Sequence, residues 1–159
     1  MIYKYSTQLN KDKISELVNI CFGNRDLFGV LDNLDNRYLL AFDNNKLIAM
    51  TGISESKELK GLEIDWTCVH PDYRGKGIIT TLLKELVEGW HKDIYCSCWR
   101  MGNNKINLHH AMQKLGFKET IREYRKYYSK VSKVCDNCVM KSKGVCICYE
   151  DLYLKEGDK

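Results

Sequence analysis

Residues 69–78, VHPDYRGKGI, constrain this chain more than any other segment, because they join an apolar strand to an amphipathic helix through two glycines. The preceding run, residues 62–69 (LEIDWTCV), reads as a buried strand. In the following run, Ile78, Ile79, Leu82, Leu83, Leu86, Val87 and Trp90 fall on one helical stripe. A turn of this kind, Arg74-Gly75-Lys76-Gly77, is suited to cradle an anion. Glycines take up positive φ and let a ligand approach the backbone, while the unpaired amides of a helix N-terminus carry about +0.5 of a charge. Arg74 and Lys76 add cationic donors, and a diphosphate matches such a turn because its oxygens accept several N–H bonds at once. A tight structural strand-to-helix connection accounts for the same two glycines, so both readings stand on this turn alone.

The remaining elements follow from periodicity. Residues 2–7 alternate as a first strand, and Ile14, Leu17, Val18, Cys21 and Phe22 repeat at helical spacing until Gly23. A second short helix is expected from Arg25 to Leu34, then turn chemistry in DNLDN, residues 32–36. Residues 37–54 read as a β-hairpin around Asp43, Asn44 and Asn45. Residues 93–99 (DIYCSCW) form a strand, and Leu108, Ala111, Met112 and Leu115 mark a helix that Gly116 terminates. Residues 117–128 give a long aromatic-rich strand, and residues 147–155 a last strand able to pair back antiparallel. This order predicts an α+β fold around one central sheet, with residues 1–159 as a single domain.

Composition narrows the function classes. At 159 residues the chain holds one ordinary domain, and 44% hydrophobic residues with a single proline argue for a folded chain. The net charge of +4 comes from lysines scattered among acids, which disfavours nucleic acid as a partner and suits a small polyanion. No apolar run approaches the roughly 20 residues that span a bilayer, and MIYKYSTQLNKDK lacks signal-peptide architecture. A cytoplasmic protein without membrane contact is the expectation. Its eight cysteines then read as thiols or metal ligands before disulfides. Cys21, Cys68, Cys96 and Cys98 lie in apolar segments, where a thiol behaves as a small hydrophobe. Cys135, Cys138, Cys146 and Cys148 form C-x2-C-x7-C-x-C inside an insert, residues 129–148, between the last two strands. Four soft ligands in a short loop match a closed zinc site; redox-active thiols, disulfides or an iron–sulfur cluster are the alternatives.

The string carried by Val69, Pro71, Arg74, Gly75, Lys76, Gly77 and Ile78 resembles motif A of the GNAT acetyltransferases, with Asp72 where the family often has Gln or Arg. Residues 112–117, MQKLGF, are similar to the end of the family's last helix and the Gly-Phe that follows. The resemblance covers residues 1–128 and 147–155. It implies a mixed central sheet flanked by helices and split between the fourth and fifth strands. Acetyl-CoA would lie there, its pantetheine along Cys68 and Val69 and its pyrophosphate on residues 74–79, including Ile78 and Ile79. Asn103 and Asn104 match the place of a cofactor-contacting asparagine and read equally as helix caps. The implied reaction is direct acetyl transfer to a primary amine of a small molecule or peptide, by a monomer or homodimer.

Such a reaction needs a neutral amine, a donor to the thioester oxygen and a proton for the departing thiolate. Glu63 and Asp65 lie two apart and share a strand face by parity, and Glu63 matches the general-base glutamate of histone-type members of the family. The alternative is that these acids solvate an exposed face or pair with a lysine. Trp66 is an odd number of residues away, which argues against its ring sharing that face. Where many members place a proton-donating tyrosine this chain has Met112, so that either water, Tyr124 or Tyr127 protonates the thiolate or the reaction relies on the low pKa of the CoA thiol and on positioning alone. His109 and His110 are adjacent and point to different helix faces, and His70 reads as a loop histidine. Residues 23–36 form the expected substrate lid, where Asp26, Asp32 and Asp35 either attract a cationic amine or solvate turns. Two other functions compete: a non-catalytic acyl-CoA-binding regulatory module, and a GNAT scaffold carrying a zinc-stabilised docking element.

Overall fold

Nearly unbroken apolar sequence in Tyr38–Asp43 requires cover on both faces of a strand, and two helices supply it. The computed structural model describes residues 1–22, 31–35, 37–100, 106–128 and 147–157. They fall into two compact units, Met1–Glu55 with Ile64–Gly89, and Ser56–Glu63 with Trp90–Lys159.

In the first unit, β1 (Ile2–Tyr5), β2 (Tyr38–Asp43), β3 (Lys46–Glu55) and β4 (Leu62–Val69, whose first two residues belong to the other unit) are neighbours in that order. β1 and β3 both run antiparallel to β2. The β2–β3 hairpin closes with Asp43 opposite Lys46, and Asn44 supplies the left-handed turn residue at φ 51°. α1 (Lys11–Phe22) buries Ile14, Leu17 and Val18 in a cluster with Tyr38, Leu40, Phe42, Met50 and Cys68. α2 (Ile78–Val87) buries Ile78, Leu82 and Leu86 with Leu39, Ala41, Ile48 and Ala49. Alternate residues of β2 therefore feed two cores. α2 stops at Val87 because Gly89 turns the chain at φ 81°, so Trp90 leaves the expected stripe and stays 45% exposed. The expected second helix is not borne out where it can be followed: Leu31–Leu34 is turn and bend, and Arg25–Val30 lies outside the described residues.

In the second unit, β7 (Ile147–Lys155) lies between β5 (Ile94–Arg100) and β6 (Lys118–Tyr128) and is antiparallel to both. α3 (His109–Lys114) buries Ala111 and Met112 and is followed by Gly116 at φ 82°. Alternation along β5 buries Ile94, Cys96, Cys98 and Arg100. Asp151 meets the Arg100 charge there: its carboxylate is wholly buried, 3.0 Å from Arg100 Nε, and accepts from the Glu123 amide at 2.7 Å. Arg100 also pairs with Glu123 at 3.3 Å. Among the described residues, no helix is long and apolar enough to cross a membrane.

Leu82→Ala removes a side chain with no exposed surface and should cost about 2–5 kcal/mol in urea unfolding. Leu9→Ala, at a residue 93% exposed, should stay within about 0.5 kcal/mol. Asp151→Asn leaves Arg100 buried with half its compensation, and a loss of about 3–5 kcal/mol is expected in the same measurement.

Candidate active site

The glycine turn after β4 has the backbone that its sequence requires. Pro71–Tyr73 makes one 3-10 turn, capped by His70, whose Nδ1 accepts from the Asp72 amide at 3.3 Å. His70 is buried, so it serves as a cap and not as an open loop residue. Gly75 and Gly77 both take left-handed backbone, φ 77° and 74°. A Cβ at either position would meet nothing within 4 Å, so it is backbone conformation and not crowding that calls for glycine. Gly77 caps α2, and Thr81 is the first residue whose amide finds an intrahelical acceptor, the Gly77 carbonyl at 3.1 Å. The first-turn amides, beginning at Ile78 and Ile79, thus lack helical partners. Lys76 Nζ lies 4.8 Å from the centre of the Tyr73 ring, and the Tyr73 hydroxyl donates to Asp43 at 2.9 Å. Arg74 folds back instead of forward: its Nε donates to the Val69 carbonyl at 3.1 Å.

A distortion in β4 lies just upstream. Trp66 is left-handed, φ 43°, an uncommon state for a bulky non-glycine residue in a strand. Its ring stacks edge-on against Phe22 at 5.9 Å and packs on the α1-side cluster that holds Tyr38 and Cys68. Asp65 occupies the same side, since a Cβ on Gly52 would collide with its Oδ1 and come 2.7 Å from Cδ1 of Tyr38. Two adjacent residues therefore share one face, and the parity expectation fails at Trp66 because its backbone is left-handed and not extended. Asp65 is already engaged, 3.7 Å from Arg37 and accepting from Ser54 Oγ at 3.3 Å. The Tyr38 hydroxyl beside it is buried and finds no hydrogen-bond partner among the described residues, and burial together with the Asp65 charge raises its pKa.

Glu63, in the second unit, is held at both carboxylate oxygens. Ser56 Oγ donates to Oε2 at 3.0 Å and Ser97 Oγ, from β5, donates to Oε1 at 3.3 Å. Only the fold brings Ser56 and Ser97 to it. The Tyr124 hydroxyl donates to Glu58 at 3.0 Å on an exposed surface. Met112, in the position of the family tyrosine, is wholly buried. His109 Nδ1 lies 2.7 Å from the Tyr153 hydroxyl, a packing role. Asn103, Asn104, Cys135, Cys138 and Cys146 lie outside the described residues, as does the side chain of Cys148. Among the described residues, no group of three or more His, Cys, Asp or Glu is placed to hold a metal ion.

Comparison with known proteins now bears on this geometry. No curated protein matches the chain. Among solved structures it is similar to a GNAT-family acetyltransferase from Bacillus cereus ATCC 10987 (12% identity, 99% of this chain and 98% of that one, TM-score 0.70). It is also similar to the ribosomal-protein-S18-alanine N-acetyltransferase from Escherichia coli (13%, 99% and 94%, TM-score 0.68). A third is the diaminobutyrate acetyltransferase from Paenibacillus lautus, in complex with L-2,4-diaminobutyric acid and coenzyme A (14%, 96% and 92%, TM-score 0.64). At these identities the likeness establishes the fold, a mixed central sheet with flanking helices. The model of the acetyltransferase (GNAT) family matches residues 10–117, more than half of the sequence, and places this chain in the GNAT acetyltransferase family.

Proposed function

We propose that the chain is an acetyl-CoA-dependent N-acetyltransferase that passes the acetyl group directly to a primary amine of a small molecule or peptide. The observation that carries this reading is the Gly75–Gly77 turn, two left-handed glycines opening onto first-turn α2 amides that have no helical partner, in a chain of this family. The diphosphate of coenzyme A is assigned to residues 74–79 and the pantetheine to the backbone of Cys68 and Val69. Lys76 adds a point charge, and Asn103 and Asn104 are assigned to the cofactor side on sequence alone. Relatives named for diaminobutyrate and for a ribosomal-protein alanine support an amine acceptor.

Acetyl transfer begins with an amine that must lose a proton before or as it attacks the thioester carbon. Glu63 is assigned this proton through an intervening water. Its two serine partners fix the carboxylate orientation, which general-base catalysis requires. Asp65 is the less suited acid, because Arg37 and Ser54 already occupy it. Tyr124 is assigned the proton for the departing thiolate; its bond to Glu58 would have to open for that step. A second reading, a non-catalytic acyl-CoA-binding module, is favoured by one observation: Met112, which has no proton to donate, is sealed in the core. A screen of primary amines with acetyl-CoA, following release of free thiol, separates the two. Turnover supports the enzyme, and binding of coenzyme A without turnover on any amine supports the module.

Glu63→Gln should lower kcat about 10²–10⁴-fold, with acetyl-CoA affinity by calorimetry little changed. Gly77→Val forces a β-branched residue into left-handed backbone and withdraws the first-turn amides, so coenzyme A affinity should fall roughly tenfold or more. On sequence grounds we assign Cys135, Cys138, Cys146 and Cys148 to one structural zinc ion. Metal analysis of the purified protein should then give one equivalent, lost in Cys135→Ser; metal-free folded protein rejects the assignment.

A further inference from the structure

The two serines that hold Glu63 are not equivalent. Ser56 opens the turn between β3 and β4, and its Oγ accepts two backbone N–H groups, from Leu59 at 3.1 Å and from Glu58 at 3.3 Å. A hydroxyl has one proton to give and two lone pairs to receive with. Both lone pairs of Ser56 are taken by these amides, so its proton goes to Glu63 Oε2, 3.0 Å away. Ser97 stands on β5 and donates to Oε1 at 3.3 Å. Among the described residues its hydroxyl makes no second hydrogen bond, so it can rotate and reverse its role.

The backbone around the turn maintains this difference. The Ser56 amide donates to the Gly61 carbonyl at 2.9 Å and the Gly61 amide to the Leu59 carbonyl at 3.0 Å, which closes the turn on itself. It is tied to the start of β5 by the Leu62 amide, which donates to the Asp93 carbonyl at 2.9 Å. Gly61 packs so closely there that a Cβ would collide with the Asp93 carbonyl oxygen. Glu58, on the same turn, receives the Tyr124 hydroxyl at 3.0 Å.

We propose that Glu63 takes up its proton on Oε1, with Ser56 a fixed donor to the charged carboxylate and Ser97 a partner that donates to Oε1 before the transfer and accepts from it afterwards. In a neutral carboxyl the carbonyl oxygen is a good hydrogen-bond acceptor and the hydroxyl oxygen a poor one. Ser56 has only its proton left to offer, so Oε2 stays the carbonyl oxygen and the new O–H forms at Oε1. Ser97 then turns a lone pair towards that O–H. The amine gives a proton to the intervening water as the water gives one to Oε1, and the carboxylate charge is cancelled. Ser56 therefore favours the charged form of Glu63 over the neutral one, while Ser97 serves both. Both serines are positioning residues that act through Glu63. That Glu63 is the base rests on the function proposed above; the inequality of the two serines does not.

The test follows Glu63 directly. The full chain, isotope-labelled at the glutamate side-chain carboxyl carbons, is titrated by NMR, and the Glu63 signal is the one lost in Glu63→Gln. Removing a donor to the charged form makes protonation easier, so in Ser56→Ala the Glu63 transition should move to higher pH by roughly one unit. In Ser97→Ala, which loses a partner of both forms, it should stay within about 0.3 unit of the wild type. Ser56→Thr keeps the hydroxyl and should titrate as the wild type does. Ser56→Cys, whose S–H is a weak donor, should shift in the same direction as Ser56→Ala and replaces it if that variant does not fold. Equal shifts in the Ser56 and Ser97 variants, a larger one in Ser97→Ala, or none at Ser56 would overturn the proposal. With an amine that the acetyl-CoA screen shows to be acetylated, the acid limb of the kcat profile should move with the NMR transition in Ser56→Ala, a loss of about tenfold on that limb and none on the alkaline plateau. A shifted transition with an unmoved limb upholds the serine roles and refutes Glu63 as the base. Absence of turnover on any amine counts against the base assignment, while the titration still decides the serines.

Discussion

The direction in which α2 leaves β4 is set by two peptide units held at positive φ, on either side of Lys76. A β-carbon at these positions would cost on the order of 1–2 kcal/mol each, so the chain turns there only because Gly75 and Gly77 have none. Everything downstream inherits that geometry. The α2 apolar stripe lands on Leu39, Ala41, Ile48 and Ala49, and the helix start is left with amides that no carbonyl of its own can reach. The buried face of α2 anchors the helix, and its first turn carries the partial positive charge of the helix dipole.

Polar groups near β4 are engaged in ways that sort their chemistry. Glu63 accepts from two serines, whose hydroxyls orient its carboxylate. Asp65 faces an arginine and the wall of a tyrosine ring, an arrangement suited to holding the strand distortion in place. The Val69 carbonyl is the meeting point of a thiol and a guanidinium, one from the end of α1 and one from the glycine turn. A single backbone oxygen thereby links helix, strand and turn, and a change at either donor is felt at the strand end.

Much of the fold was legible in residue order. The alternation in β5, the stripe on α2 and the glycine after α3 each follow from a local rule, and the structure agrees to within a residue or two. Trp90 shows the limit: its spacing fits the stripe, but Gly89 redirects the chain before it arrives. Trp66 shows another, since period-two reasoning assumes extended backbone and a left-handed residue cancels it for one step. His70 read as a loop histidine, and nothing local reveals that its ring folds back to cap the turn that follows.

By itself the sequence determined the strand–turn–helix unit, the left-handed glycines and the presence of carboxylates on β4, because backbone sterics and side-chain periodicity act over a few residues. Which serines hold Glu63 and which cation faces Asp65 were decided only by tertiary structure. Those partners lie between 7 and 34 positions away in the chain, from Ser56 to Ser97, both with Glu63. Such pairings depend on how strands and helices pack, and no local rule encodes that.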